Sequence, residues 1–255
     1  MSSKASLFTS IKTERAFERI ADQIKQLIFS GTFKPGDRLP PERELATQFE
    51  VGRMVVREAL RVLEQSGLIY IRQGSEGGAF IKKADSLIVT RSISDLIRLG
   101  NVRLQDLIEA RLGIEKMILE TAIERIDKKH LDLIERNVRE CEELLNRGII
   151  ARQGNVRFHI LLAKASKNPI YEMIEESIMR LVFFFLNQLK TDADYSRSVL
   201  KHHKDILLAI KEGNKTVAKQ KMQAHLGRVG KQFSDLAQEI GDIQVASADL
   251  QFHFE

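Results

Sequence analysis

Past Ile81 the chain offers apolar residues at helical spacing and no strand pattern. Only two short apolar runs, "LIYI" at 68–71 and "AFI" at 79–81, read as strands, and the Gly-rich "RQGSEGG" lies between them. That is the pattern of a β-hairpin. A lone two-stranded hairpin cannot supply a core of its own. The chain must therefore be mainly α, with the hairpin attached to a helical body.

Three helices are predicted ahead of the hairpin. Residues 16–30 place Ile20, Ile24, Leu27 and Ile28 on one side and stop at Gly31. "FKPGDRLPP" is a turn-rich connector, and its Pro41 suits the first turn of the helix "ERELATQF". "EVG" is a short turn, and "GRMVVREALRVLEQSGL" (52–68) follows with Val55, Val56, Ala59, Leu60, Val62 and Leu63 inward. Three helices and a hairpin make a winged helix-turn-helix. Beyond it the spacing predicts seven helices, near 86–99, 103–126, 130–147, 149–165, 168–190, 196–212 and 214–240, separated by Gly, Asn and Pro signals. Without a fixed-period repeat, these form an all-α bundle rather than a solenoid. "KKADS" at 82–86 marks the boundary, giving a DNA-binding domain over 1–83, an effector-binding and dimerisation domain over 84–241, and a loose tail over 242–255.

The longest apolar stretch, "LVFFFL" at 181–186, is far too short to cross a bilayer, and the first twenty residues mix charge throughout. Cys141 is the single cysteine, which excludes an internal disulfide and fits a cytoplasmic protein. Positive charge is concentrated at the front: residues 1–83 carry a net +4 and the other 172 residues a net +1. That asymmetry suits a polyanionic partner.

Arg53, Arg57 and Arg61 recur every four residues and line one outer stripe of the third helix. Such a stripe either solvates a helix whose other face is core or faces an anion. Its position before a wing, in the basic third, favours double-stranded DNA. Arg53 and Arg57 then sit where a recognition helix enters the major groove, and a guanidinium can grip guanine or phosphate with two hydrogen bonds. Arg43 approaches from the preceding helix, and Gln73 and Gly74 form the wing tip. The segments "PGDRLPPERELA" and "VREALRVLEQSGL" resemble the DNA-binding domain of GntR-family bacterial transcription regulators. The resemblance implies DNA contacts from Arg43, Arg53, Arg57, Gln73 and Gly74. The family usually carries Ser or Thr where this chain has Gly52, and often a small polar residue where it has Met54, so the operator preference need not be the usual one.

Three of the six histidines fall on the apolar sides of separate helices. His159 lies beside Phe158 and Leu162, with Asn155 one turn earlier; His203 lies among Val199, Ile206, Leu207 and Ile210; His225 lies among Ala218, Met222 and Val229. Either these are three separate core histidines, or the faces converge and offer three imidazoles and an amide oxygen to a divalent ion. "DLIEARLGIE", "NVRFHILLAKASKNPI" and "HKDILLAIKEGNKTVAKQKMQAHL" resemble the all-helical FCD-type ligand domain of the FadR branch of that family. Many members of that branch hold a metal through an Asp-x-x-x-His pair and two later histidines. The resemblance implies a site of Asn155, His159, His203 and His225 for Zn, Ni or Mn, with Asn in place of the Asp.

Arg111 stands at the edge of the apolar stripe of Leu107, Ile114 and Ile118. A buried guanidinium needs a partner, either an internal carboxylate (Glu115 or Glu109) or the carboxylate of an effector. The family resemblance favours the effector. These readings together predict a homodimeric regulator, a repressor, that binds a near-palindromic operator and a small organic acid, without an organic cofactor or a membrane. A metal-dependent hydrolase fused to a DNA-binding domain would need a general base, and none is evident beside the histidines. A non-specific DNA-binding protein would have little use for so large a second domain.

Overall fold

The computed structural model describes residues 16–74, 76–83, 86–99, 104–188 and 192–240. The expected tail and the Gly100–Asn101 break lie outside them. The chain divides into two compact units, residues 1–85 and 86–255.

In the first unit, α1 (Ala16–Phe29), α2 (Glu42–Gln48) and α3 (Arg53–Gln65) precede β1 (Ile69–Arg72) and β2 (Gly78–Ile81). The strands pair antiparallel, with Ile69 opposite Ile81 and Arg72 opposite Gly78. The connector before α2 does more than turn. Leu39 N–H donates to the Ala79 carbonyl at 2.8 Å and Ile81 N–H to the Asp37 carbonyl at 2.8 Å, so the connector runs along β2. Arg38 donates from Nη2 to the Gly77 carbonyl, and its guanidinium lies 5.9 Å from the centre of the Phe80 ring. Ile20, Ile24, Leu45, Val56, Leu60, Leu63, Ile69 and Ile81 are buried together and tie the three helices to the hairpin. Gly52 opens α3 with φ −68° and ψ 147° and supplies no side-chain cap.

The second unit consists of α4 (Leu87–Arg98), α5 (Leu104–Arg125), α6 (Lys128–Asn146), α7 (Arg152–Ala165), α8 (Pro169–Gln188), α9 (Ala193–Lys211) and α10 (Lys215–Ile240). Two of these begin earlier than the apolar spacing predicts, because aspartates cap them. Asp127 accepts from the His130 N–H at 3.0 Å, and Asp192 accepts from the Tyr195 N–H at 2.7 Å, each satisfying a free donor of the first turn. α7 begins later than predicted: Gly148 takes φ +76° to end the previous helix, and the chain resumes helical geometry only at Arg152.

α7 is the axis of this unit. It packs against α5, α6, α8 and α9, and every residue from Phe158 to Ala163 is buried. A stretch covered on all sides carries apolar residues all round, as Phe158 to Ala163 do apart from His159. It therefore separates two clusters, one with Leu119, Ile134, Phe158, Leu162, Ile206 and Met222, the other with Val156, Ile160, Met179, Val182, Phe185 and Val229. His159, in the fully buried stretch from Phe158 to Ala163, has nowhere to go but inward, whereas Gln153 and Lys164 nearer the ends reach solvent.

Candidate nucleic-acid interface and ligand cavity

On the first unit, α3 buries Val56, Ala59, Leu60 and Leu63 and turns Arg53, Met54 and Arg61 outward. Arg61 pairs with Glu58 of its own helix at 2.7 Å. Arg57 is engaged differently: its Nε and Nη2 reach the two carboxylate oxygens of Glu42 on α2, at 3.2 and 2.8 Å. Arg53 Nη2 lies 3.8 Å from the same carboxylate. Arg43 is exposed on α2, and Gln73 and Gly74 are exposed at the hairpin end. Gly74 takes φ +103°, a conformation glycine adopts without a side-chain penalty. Gly77 could not be replaced easily, since a Cβ there would meet the Arg72 carbonyl oxygen at 2.4 Å.

In the second unit the three histidines converge. His159 comes from α7, His203 from α9 and His225 from α10, all buried. Nε2 of His225 lies 3.2 Å from Nε2 of His159 and 3.3 Å from Nε2 of His203. The Phe158 ring stacks on His203 with centroids 4.1 Å apart and holds that imidazole in place. Burial, then the neighbouring positive groups, pushes His203 and His225 well below the usual histidine value. Burial also lowers His159, against the pull of Glu115. The imidazoles are therefore neutral, and neutral imidazole is the form that binds metal.

Behind this triad lies an ion network. Glu115 Oε2 is 2.5 Å from His159 Nδ1, and Glu115 Oε1 is 2.5 Å from Arg111 Nε. Burial alone would raise the Glu115 carboxyl, but Arg111 and His159 outweigh it and hold it below the usual range. The ionised Glu115 takes the proton of Nδ1 as a hydrogen bond, which leaves the Nε2 lone pair of His159 for the other histidines or a ligand. Arg111 Nη2 lies 3.3 Å from that same Nε2. The internal carboxylate expected for Arg111 is thus Glu115, yet the guanidinium also lines the cavity.

That cavity has about 430 Å³ of empty space, its open mouth included. Asn155, Arg152, Tyr195 and Ser196 line it with Arg111 and the three histidines, and Val182, Leu186, Val199 and Val229 give it apolar walls. Sequence reasoning missed Tyr195, although the 195–199–203 spacing places it on the His203 face of α9. It also missed Glu175 on α8, which is fully buried and forms with Glu115 and His159 a second group of closely placed potential ligands. Burial and the Glu115 charge push the Glu175 carboxyl well above its usual value, so it is a neutral acid. No local pattern announces it.

Two of the three separations in the triad meet a simple test of fit to a metal, and all its ligand atoms lie within 4.8 Å of one another. Tetrahedral Zn–N bonds of 2.0–2.1 Å place ligating nitrogens about 3.3 Å apart, and the two separations from His225 are 3.2 and 3.3 Å. Glu115 on the far nitrogen of His159 is the carboxylate that commonly orients a ligating imidazole.

Residues 16–81 match the family described as "Bacterial regulatory proteins, gntR family", and residues 106–228 match the FCD domain. The chain belongs to the GntR family. It is 31% identical over 208 residues to the HTH-type transcriptional regulator YdhC of Bacillus subtilis, covering 80% of this chain and 84% of that one. It is 30% identical to the Uxu operon regulator of Haemophilus influenzae, covering 84% and 80%. Among solved structures, Streptococcus agalactiae GntR aligns with a TM-score of 0.62 at 29% identity, covering 84% of this chain and 99% of that one. This GntR-family protein is accordingly a DNA-binding transcription regulator with an FCD ligand-binding domain. Among the described residues no helix is long and apolar enough to cross a membrane.

Proposed function

We propose that this regulator is a homodimeric repressor whose affinity for a near-palindromic operator is set by a small organic acid bound in the FCD cavity, with a divalent metal on His159, His203, His225 and Asn155. The observation that carries the reading is the close approach of three neutral Nε2 atoms in a cavity that also presents Arg111. The metal would supply a Lewis-acidic centre for a carboxylate oxygen, and Arg111 a second, cationic contact. Asn155 brings an amide oxygen without the negative charge of an aspartate, so metal affinity is lower than an Asp at that position would give. The repressor assignment has its support in relatives named as repressors, such as NanR of Escherichia coli at 27% identity.

On the DNA side, Arg53 and Arg57 read or grip the major groove from α3, Arg43 contacts the flank from α2, and Gln73 and Gly74 follow from the wing. The effector can act only by favouring one arrangement of the dimer over another. Elemental analysis of protein purified without a His-tag tests the cavity. About one equivalent of Zn, Ni or Mn, lost in a His159→Ala/His203→Ala control, is the expected result. Protein that stays metal-free after incubation with these ions overturns the metal part of the proposal and leaves Arg111 and the cavity walls to hold the effector.

A further inference from the structure

The Glu42 carboxylate stands between the two arginines proposed to read DNA. Arg57 gives it both Nε and Nη2, at 3.2 and 2.8 Å, and Arg53 Nη2 stands 3.8 Å away. The pair crosses from the first residue of α2 to the second turn of α3. It is not the tie that holds these helices together, because Leu45, Val56 and Leu60 already share one buried core. With the Arg57 side chain 42% exposed and that of Glu42 29% exposed, an ion pair of this kind contributes little to stability.

Its effect falls on the guanidinium itself. An arginine side chain is flexible, and fixing it before binding removes an entropic cost of recognition. The carboxylate takes the Nε–Nη2 edge and leaves the outer Nη1–Nη2 edge free to point away from α2. It also relieves the repulsion between Arg53 and Arg57, which stand four residues apart on one stripe. A fixed negative charge beside the contact surface, finally, opposes phosphates that approach out of register. Like-charge opposition of this sort suppresses wrong partners more than it weakens the right one.

We infer that Glu42 is a specificity-determining positioning residue: it aims Arg57, and secondarily Arg53, and discourages non-specific DNA. The inference rests on the assignment of Arg57 as a DNA contact. The test uses the full chain and a duplex that the wild-type protein enriches from a random-sequence pool, alongside a shuffled duplex of the same composition. Affinities for both are measured across a salt series for wild type, Glu42→Gln, Glu42→Asp, Arg57→Ala and the double variant Glu42→Gln/Arg57→Ala.

Glu42→Gln keeps the side-chain shape and should lower the ratio of enriched to shuffled affinity by about tenfold, the weight of one charge-assisted hydrogen bond. Shuffled binding should tighten, with its salt slope steeper by about one. Glu42→Asp should recover part of the ratio, and Glu42→Gln should lower the ratio less in the Arg57→Ala background than in wild type, while still tightening shuffled binding there. If Arg57→Ala collapses the ratio while Glu42→Gln leaves the ratio and the slope unchanged, Glu42 is only a structural partner. Glu42→Asp no better than Gln also overturns the inference. An unchanged ratio in Arg57→Ala overturns instead the assignment on which it rests.

Discussion

Glu115 accepts a hydrogen bond from His159 Nδ1 at 2.5 Å while its other oxygen holds Arg111 Nε at the same distance, with all three side chains buried. One carboxylate thus balances a buried guanidinium and sets which nitrogen of His159 faces the cavity. Removing one member of a buried pair strands the other charge, at a cost of about 3–5 kcal/mol. Glu115→Gln should therefore lower unfolding free energy in urea by about 3 kcal/mol, whereas the double variant Arg111→Met/Glu115→Leu should recover most of it. In stable preparations of the single variant, affinity for Zn should drop by about tenfold or more, as expected when the partner that orients a ligating imidazole is lost.

The depressed histidines fix a pH dependence. His203 and His225 have folded values well below the usual 6.5 because burial disfavours the imidazolium. Below about pH 6.5 the unfolded chain therefore binds more protons than the folded one, and stability falls as the pH falls. The contribution is complete above the unfolded value and is lost progressively below it. Urea midpoints at pH 7.5 and 5.5 should show this decline, and a His203→Asn/His225→Asn variant should show a smaller one. Protons compete for the same nitrogens as the proposed metal, but because burial holds the folded values well below 6.5, its release by protonation should come at lower pH than the first loss of stability.

Gly52 is a position where the chain can be improved. Its φ of −68° suits any residue, and a Cβ there meets nothing within 4 Å. Gly52→Ser would supply the hydroxyl that can cap α3 and restrict the unfolded chain. Thermal or urea unfolding should register a gain of about 0.5 kcal/mol. Phosphate contact by the same hydroxyl should make DNA binding tighter as well, read as a lower midpoint in a titration with random duplex.

The helices are legible in sequence because each is announced locally: apolar side chains recur every three or four residues, and Gly31, Gly148 and Gly213 end three of them with positive φ. The winged arrangement follows from order alone. The site is legible only as candidates. His159, His203 and His225 come from three helices, and whether their faces meet depends on helix rotation and crossing, which no i,i+4 pattern encodes. Glu115 is visible as the partner of Arg111 through their four-residue spacing, but its second bond, to His159, spans 44 residues. Glu42 and Arg57 are 15 residues apart across a turn, and no local pattern links them, for the same reason. Even α7 shows only one apolar side to a reading of its spacing, whereas its neighbours bury every residue from Phe158 to Ala163.

Close approach of α6 and α7 makes the last prediction. A Cβ added at Gly154 would lie 2.4 Å from Cys141 Sγ, inside van der Waals contact. Cys141 is itself buried, and burial pushes its thiol up to about 11, so it is an inert space-filler rather than a nucleophile. Gly154→Ala should force α7 away from α6 and destabilise the unit by about 1–3 kcal/mol, the usual cost of overpacking. Cys141→Ala removes the obstructing sulfur. In that background Gly154→Ala should be nearly neutral, and the two changes should show a coupling of about 1 kcal/mol or more in a double-mutant cycle. Additive effects would mean that the two helices are not in the contact described. Because Asn155 and His159 follow Gly154 on α7, the single variant should also weaken metal retention, and Cys141→Ala should restore it.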